Sequence, residues 1–177
     1  MKQVTLVLNE SVNGIPFFTQ KQQVRDLLGK PDYNSFENRA PEEEVEAAKK
    51  MLEGPIKELY KKMGKDPDSF EWPDISEFDS DIDTYGPLQL EYDKKGRFVS
   101  VNLLADELDG FELNGNQYSD FKLKTLLSLA DDFVKEEDGA SYISYSKQIG
   151  IWVPLADGKV ESVLFGCPGY YTPAIET

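Results

Sequence analysis

The sequence predicts an α+β domain in which helices pack on antiparallel sheet. Three observations point there. Short runs of alternating or apolar residues are separated by Gly, Pro, Asn and Asp, as strands and tight turns require. A few stretches with helical spacing of apolar residues lie between them. Two segments repeat the same features in the same order, which argues for two related halves of helix plus strands.

Val4, Leu6 and Leu8 alternate with Gln3, Thr5 and Val7 and predict a first strand, closed by an Asn13-Gly14 turn. Thr19 is a good cap for a short helix over 20–28, with Val24, Leu27 and Leu28 on one face; Gly29 ends it and Pro31 forbids continuation. Pro41 followed by Glu42, Glu43 and Glu44 starts a helix that runs to about Glu53. Gly54-Pro55 interrupts it, and a second helical piece covers 56–63. Residues 65–87 are rich in Asp, Ser, Pro and Gly and predict loop, although Phe70, Trp72, Ile75, Phe78, Ile82 and Tyr85 argue that it packs on the body. Leu88–Tyr92 and Arg97–Leu104 read as a hairpin. Residues 119–135 read as an amphipathic helix capped by Ser119 or Asp120, with Leu123, Leu126, Leu127 and Ala130 as its core stripe. Strands over 141–146, 148–153 and 159–165 follow, then a turn-rich tail containing Gly169-Tyr170-Tyr171.

Asn13-Gly14, Phe17, Phe18, Thr19 and Leu27-Leu28 are matched by Asn114-Gly115, Tyr118, Ser119 and Leu126-Leu127. Gly96-Arg97-Phe98-Val99-Ser100-Val101 is matched by Gly158-Lys159-Val160-Glu161-Ser162-Val163. The chain therefore reads as one domain, 1–177, with half-repeats 1–105 and 106–177 and an insertion, 30–87, in the first.

The 177 residues include no histidine and one cysteine, Cys167. That excludes imidazole-dependent triads, His-containing zinc sites, thiolate clusters and an internal disulfide. Neither GxxxxGK[ST] nor GxGxxG occurs. Asp79-Ser80-Asp81-Ile82-Asp83 looks like the start of a calcium loop, but Thr84 and Leu90 stand where that loop needs Gly and Glu. The expectation is a binding protein without cofactor or metal, not an enzyme. A carboxylate- or metal-dependent hydrolase is the enzymatic alternative. Trp152, Tyr170 and Tyr171 are expected to finish the core or plug a sheet end, and Cys167 to be inert. The N-terminal apolar stretch is too short and polar for a secretory segment, so a cytoplasmic protein is expected.

The formal charge is −14, from 33 acidic and 19 basic side chains. Residues 66–93 hold ten acidic groups and no basic one, and 106–138 hold ten against three. Such a field disfavours nucleic acid and anionic membranes and attracts a basic protein partner. The candidate partner-binding residues are Glu71, Trp72, Asp74, Glu77, Phe78, Asp79, Asp81 and Asp83: carboxylates that imitate a row of phosphates, with aromatic anchors among them. Asp106, Glu107, Asp109 and Glu112 form a weaker candidate, read as a solvated linker.

The run Gln23-Val24-Arg25-Asp26-Leu27-Leu28-Gly29-Lys30-Pro31-Asp32 resembles the helix-then-LGxP element of small outer-membrane assembly lipoproteins. The two-half layout is similar to that of the beta-lactamase inhibitor protein. In size, acidity and its late Gly-Tyr-Tyr tail, the chain resembles the immunity proteins of bacterial contact-dependent and polymorphic toxin systems. That resemblance implies a monomer that binds and neutralises a cognate toxin domain 1:1, often a basic nuclease. An acidic adaptor or a DNA mimic is the alternative binding reading.

Overall fold

The structure is a computed structural model that describes residues 4–70, 72, 80–156 and 158–172. Its strands follow the apolar alternation. β1 (Val4–Val7), β2 (Ser11–Val12) and β3 (Ile15–Pro16) precede α1 (Lys21–Leu28) and β4 (Tyr33–Asn34). After α2 (Glu42–Lys62) come β5 (Asp81–Tyr85), β6 (Leu88–Tyr92) and β7 (Phe98–Leu104). The second half runs β8 (Phe111–Leu113), β9 (Asn116–Tyr118), α3 (Leu123–Leu127), β10 (Phe133–Lys135), β11 (Ser141–Ser144), β12 (Ile149–Trp152) and β13 (Ser162–Gly166). The class is α+β.

Two sheets result. The smaller has the order β3-β2-β1-β8-β9, with β1 and β8 parallel and the other neighbours antiparallel. The larger is antiparallel throughout, in the order β10-β11-β12-β13-β7-β6-β5-β4. That order is symmetric: four consecutive strands of the first half meet four of the second at the β7–β13 seam. The register carries the same symmetry. The Gly-basic-apolar-x-Ser-Val repeats are offset by 62 positions, and the seam places Asn102 directly opposite Leu164, its counterpart at that offset.

Both Asn-Gly pairs form hairpin turns with φ positive at each central residue: 49° and 77° at Asn13 and Gly14, 51° and 81° at Asn114 and Gly115. Each Asn side chain also accepts a backbone N–H along β1 or just beyond it, from Thr5 and from Leu8, both at 2.9 Å. The two turns are offset by 101 positions, 39 more than the strand motifs. The chain divides into two compact units, Met1–Ser35 with Ser80–Thr177, and Phe36–Asp79; the second, 44 residues long, lies between the first turn and the first strand motif.

In the first unit one core joins both sheets. Leu90, Tyr92, Val101, Leu103, Ile149, Ile151, Val163 and Phe165 of the larger sheet are buried with Val4, Leu6 and Phe111 of the smaller and Val24 and Leu126 of α1 and α3. Phe111 meets Phe165 with ring centroids 5.7 Å apart. Because side chains alternate across a strand, the opposite face of the larger sheet carries Gln89, Glu91, Ser100, Asn102 and Ser162.

Several expectations need correction. The helix expected over 119–135 is only Leu123–Leu127, because Phe133–Lys135 joins the sheet beside β11. Neither Ser119 nor Asp120 is its cap: the N-cap is Lys122, whose N–H the Asp120 carboxylate accepts at 3.1 Å. Thr19 does not cap α1; its hydroxyl donates back to the Pro16 carbonyl. Gly29 does end α1, at φ 90°. α2 runs unbroken through Gly54-Pro55, with the Lys57–Glu53 ion pair bridging the joint at 3.0 Å. Finally, Asp81–Tyr85 is strand, so the expected 65–87 loop stops short of it.

Candidate functional site

Of the predicted partner-binding residues, Glu71, Asp74, Glu77, Phe78 and Asp79 lie outside the described residues. Trp72 packs edge-on against Phe70, which in turn meets Tyr60 of α2, with centroids 5.0 and 5.5 Å apart. Asp81 and Asp83 are taken up by ion pairs within the fold. The period of two puts both on the inner face of β5, and the helical period puts Lys21 and Arg25 on the face of α1 above them. Lys21 donates to Asp81 at 2.7 Å. Arg25 grips Asp83 through two nitrogens at 2.8 and 2.7 Å. Asn34 and the Tyr92 hydroxyl complete the shell of Asp83, which has no exposed surface. Burial works to raise the Asp83 carboxyl, but the hydrogen bonds from Arg25 and Asn34 and the charges of Arg25 and Lys21 hold it below its ordinary value. Two of the ten acids in 66–93 are thus spent on attaching a helix to a sheet.

What remains open is the outer face of the larger sheet. It holds a groove of about 450 Å³, floored by β6, β7, β13 and β12 across the seam. Glu91 is its charged group. Its carboxylate accepts from Ser80 at 2.5 Å, from Ser100 at 2.7 Å and from the Tyr170 hydroxyl. All three donors are neutral, and among the described residues no lysine or arginine pairs with it. Asn102 donates to Gln89 beside it at 3.0 Å. At the other end stands Trp152, 43 % exposed on a sheet whose inner face is closed.

The tail builds the wall. Tyr170 lies over Gly166 and Tyr171 over Gly150, so closely that an added Cβ would sit 2.6 Å from the Tyr170 side chain or 2.1 Å from the Tyr171 hydroxyl. Gln148 clasps this turn by accepting the Tyr171 N–H at 2.6 Å and donating to its carbonyl at 3.2 Å. Burial, and then the charge of Glu91, push both phenols well above their usual range, so they stay protonated. Burial also raises the Cys167 thiol, the only one in the chain. Neither group supplies a nucleophile at neutral pH. Among the described residues no group of three or more Asp, Glu or Cys side chains is placed to hold a metal ion.

Trp152, Tyr170 and Tyr171 line this groove, and Tyr170 also packs against the core. Glu91 was hidden among ten acids. The signal that marks the site is Gly150 and Gly166 inside strand-like runs, since glycine in a strand often means close approach of another group. The repeat gives a second signal. Glu91 pairs with Ser100 as Trp152 pairs with Ser162, so the carboxylate and the indole occupy equivalent places in the two halves. Of the weaker acidic candidates, Asp106, Glu107 and Asp109 are exposed around the turn after β7, while Glu112 is half-buried in β8. Among the described residues no helix is long and apolar enough to cross a membrane. No family model matches the chain, and comparison with curated proteins and with solved structures found no match either.

Proposed function

We propose that the chain is a cytoplasmic immunity protein, which binds a basic toxin domain 1:1 and neutralises it by covering its active site. The observation that carries this reading is Glu91: a carboxylate held by three neutral hydroxyls in an open groove, with no lysine or arginine paired to it among the described residues, on a chain of net charge −14. A carboxylate placed this way has its geometry fixed and its charge uncompensated, so a partner's lysine or arginine is the group that completes it. Exposed Asp106, Glu107 and Asp109 add to the attracting field. A nuclease suits this chemistry best among toxins, because its phosphate-binding site must be basic.

The test is protection. A gene adjacent to this one is expected to encode a basic toxin domain, and that domain is expressed in cells with and without this chain. Growth restored by the chain is the expected result. Undiminished toxicity with the chain present at equal or higher level contradicts the proposal.

A further inference from the structure

We propose that the groove on the outer face of the larger sheet receives one extended segment of a protein partner, with a basic side chain at Glu91 and an apolar or aromatic one on Trp152. This deepens the inhibitor reading and rests on it for the partner's identity. The spacing comes from the ladder. Glu91 lies one strand to one side of Ser100 on β7, and Trp152 lies two strands to the other side of Leu104, through Ser162. Three strand separations of about 4.8 Å and four residues of about 3.3 Å place the two some 20 Å apart. One side chain cannot reach both. An extended peptide of about seven residues can, with its two end side chains on the same face.

The chemistry of the two ends fixes the occupant's polarity. Glu91 has spent three acceptor positions on hydroxyls and keeps capacity for one more donor, and only a cation balances its charge. Trp152 offers an indole that is 43 % exposed, the kind of surface that anchors an apolar or aromatic side chain. Between them Gln89 and Asn102 present side-chain amide groups to a backbone. Tyr170 and Tyr171, seated on glycines and protonated, keep that floor rigid. A rigid floor costs little ordering entropy on binding.

Short random peptides displayed on phage, selected on the intact chain, test this without the toxin. The expected enrichment is for Arg or Lys separated by about six positions, and so on the same face of an extended segment, from Trp, Tyr, Phe or Leu. Selected peptides should bind Glu91→Gln and Trp152→Ala at least about tenfold more weakly and Glu43→Gln, exposed on α2, unchanged. Circular dichroism melts verify that each variant is folded. No enrichment, equal binding to Glu91→Gln, or an equal loss in Glu43→Gln overturns the groove assignment. Protection of cells by Glu91→Gln and Trp152→Ala at wild-type level overturns it too, while leaving the inhibitor reading intact. Peptide selection succeeding with a wild-type chain that gives no protection has the opposite meaning.

Discussion

Arg25 and Asp83 show how a single ion pair can take residues out of an acidic surface. Asp83 is fully buried and depends on the guanidinium for charge and on Asn34 for a further hydrogen bond. Arg25→Met leaves an uncompensated buried carboxylate and should cost about 3–5 kcal/mol at pH 7, measured by urea unfolding. The pH dependence should change sign. In the native chain the Asp83 carboxyl is lowered, so its stabilisation is present above the unfolded value of about 3.9 and is lost as pH falls through the lower folded value. In Arg25→Met burial acts against the charge, the carboxyl takes up a proton more readily, and the deficit relative to the native chain should shrink between pH 7 and 4. A deficit that stays constant over that range contradicts this account. Nothing in the local sequence marks Asp83 as buried. The information lies 58 residues away, in the four-residue spacing of Lys21 and Arg25 against the two-residue spacing of Asp81 and Asp83.

Elements were legible where local pattern and tertiary packing agree. The β6–β7 hairpin, the three late strands and α1 with its Gly29 stop follow from alternation, turn residues and caps. Two failures have one cause, the sheet's demand for a partner. Phe133–Lys135 carries a helical stripe upstream of it but pairs with β11, and Asp81–Tyr85 reads as polar loop but fills a place between β6 and β4. α2 fails differently, since Pro55 lacks the N–H of an interior helical residue yet the helix continues. Pro55→Ala should raise the thermal midpoint, with up to about 3 kcal/mol of helix propensity recovered. Gly54→Ala should add about 1 kcal/mol, because an added Cβ meets nothing within 4 Å. Gly166→Ala should do the reverse. Its Cβ collides with Tyr170 and lifts the hydroxyl from Glu91, at a cost of about 1–3 kcal/mol by chemical denaturation. The candidate site was half legible: its aromatics and glycines stand out in the sequence, but only the fold brings the tail onto the sheet beside Glu91.

At the scale of the whole molecule, two halves meet along β7 and β13, and the first carries an extra unit. That unit leaves and re-enters at adjacent points, since the Ser35 hydroxyl donates to the Ser80 carbonyl at 2.8 Å. Replacing 36–79 by a short Gly-containing turn should therefore leave a cooperatively melting sheet protein with its near-ultraviolet aromatic signal retained. A molten or aggregating product contradicts that division. The charge follows the same architecture. Asp83 is buried and Asp81 is held by Lys21, while Glu91 in its groove and the acids after β7 are among those that face outward. The most direct measurement is calorimetric titration of the chain with the basic toxin domain that an adjacent gene is expected to encode, at low and at physiological salt. The account predicts a 1:1 complex that weakens as salt rises and weakens at least about tenfold on Glu91→Gln. Absence of binding at low salt, or a complex indifferent to both salt and Glu91→Gln, contradicts it.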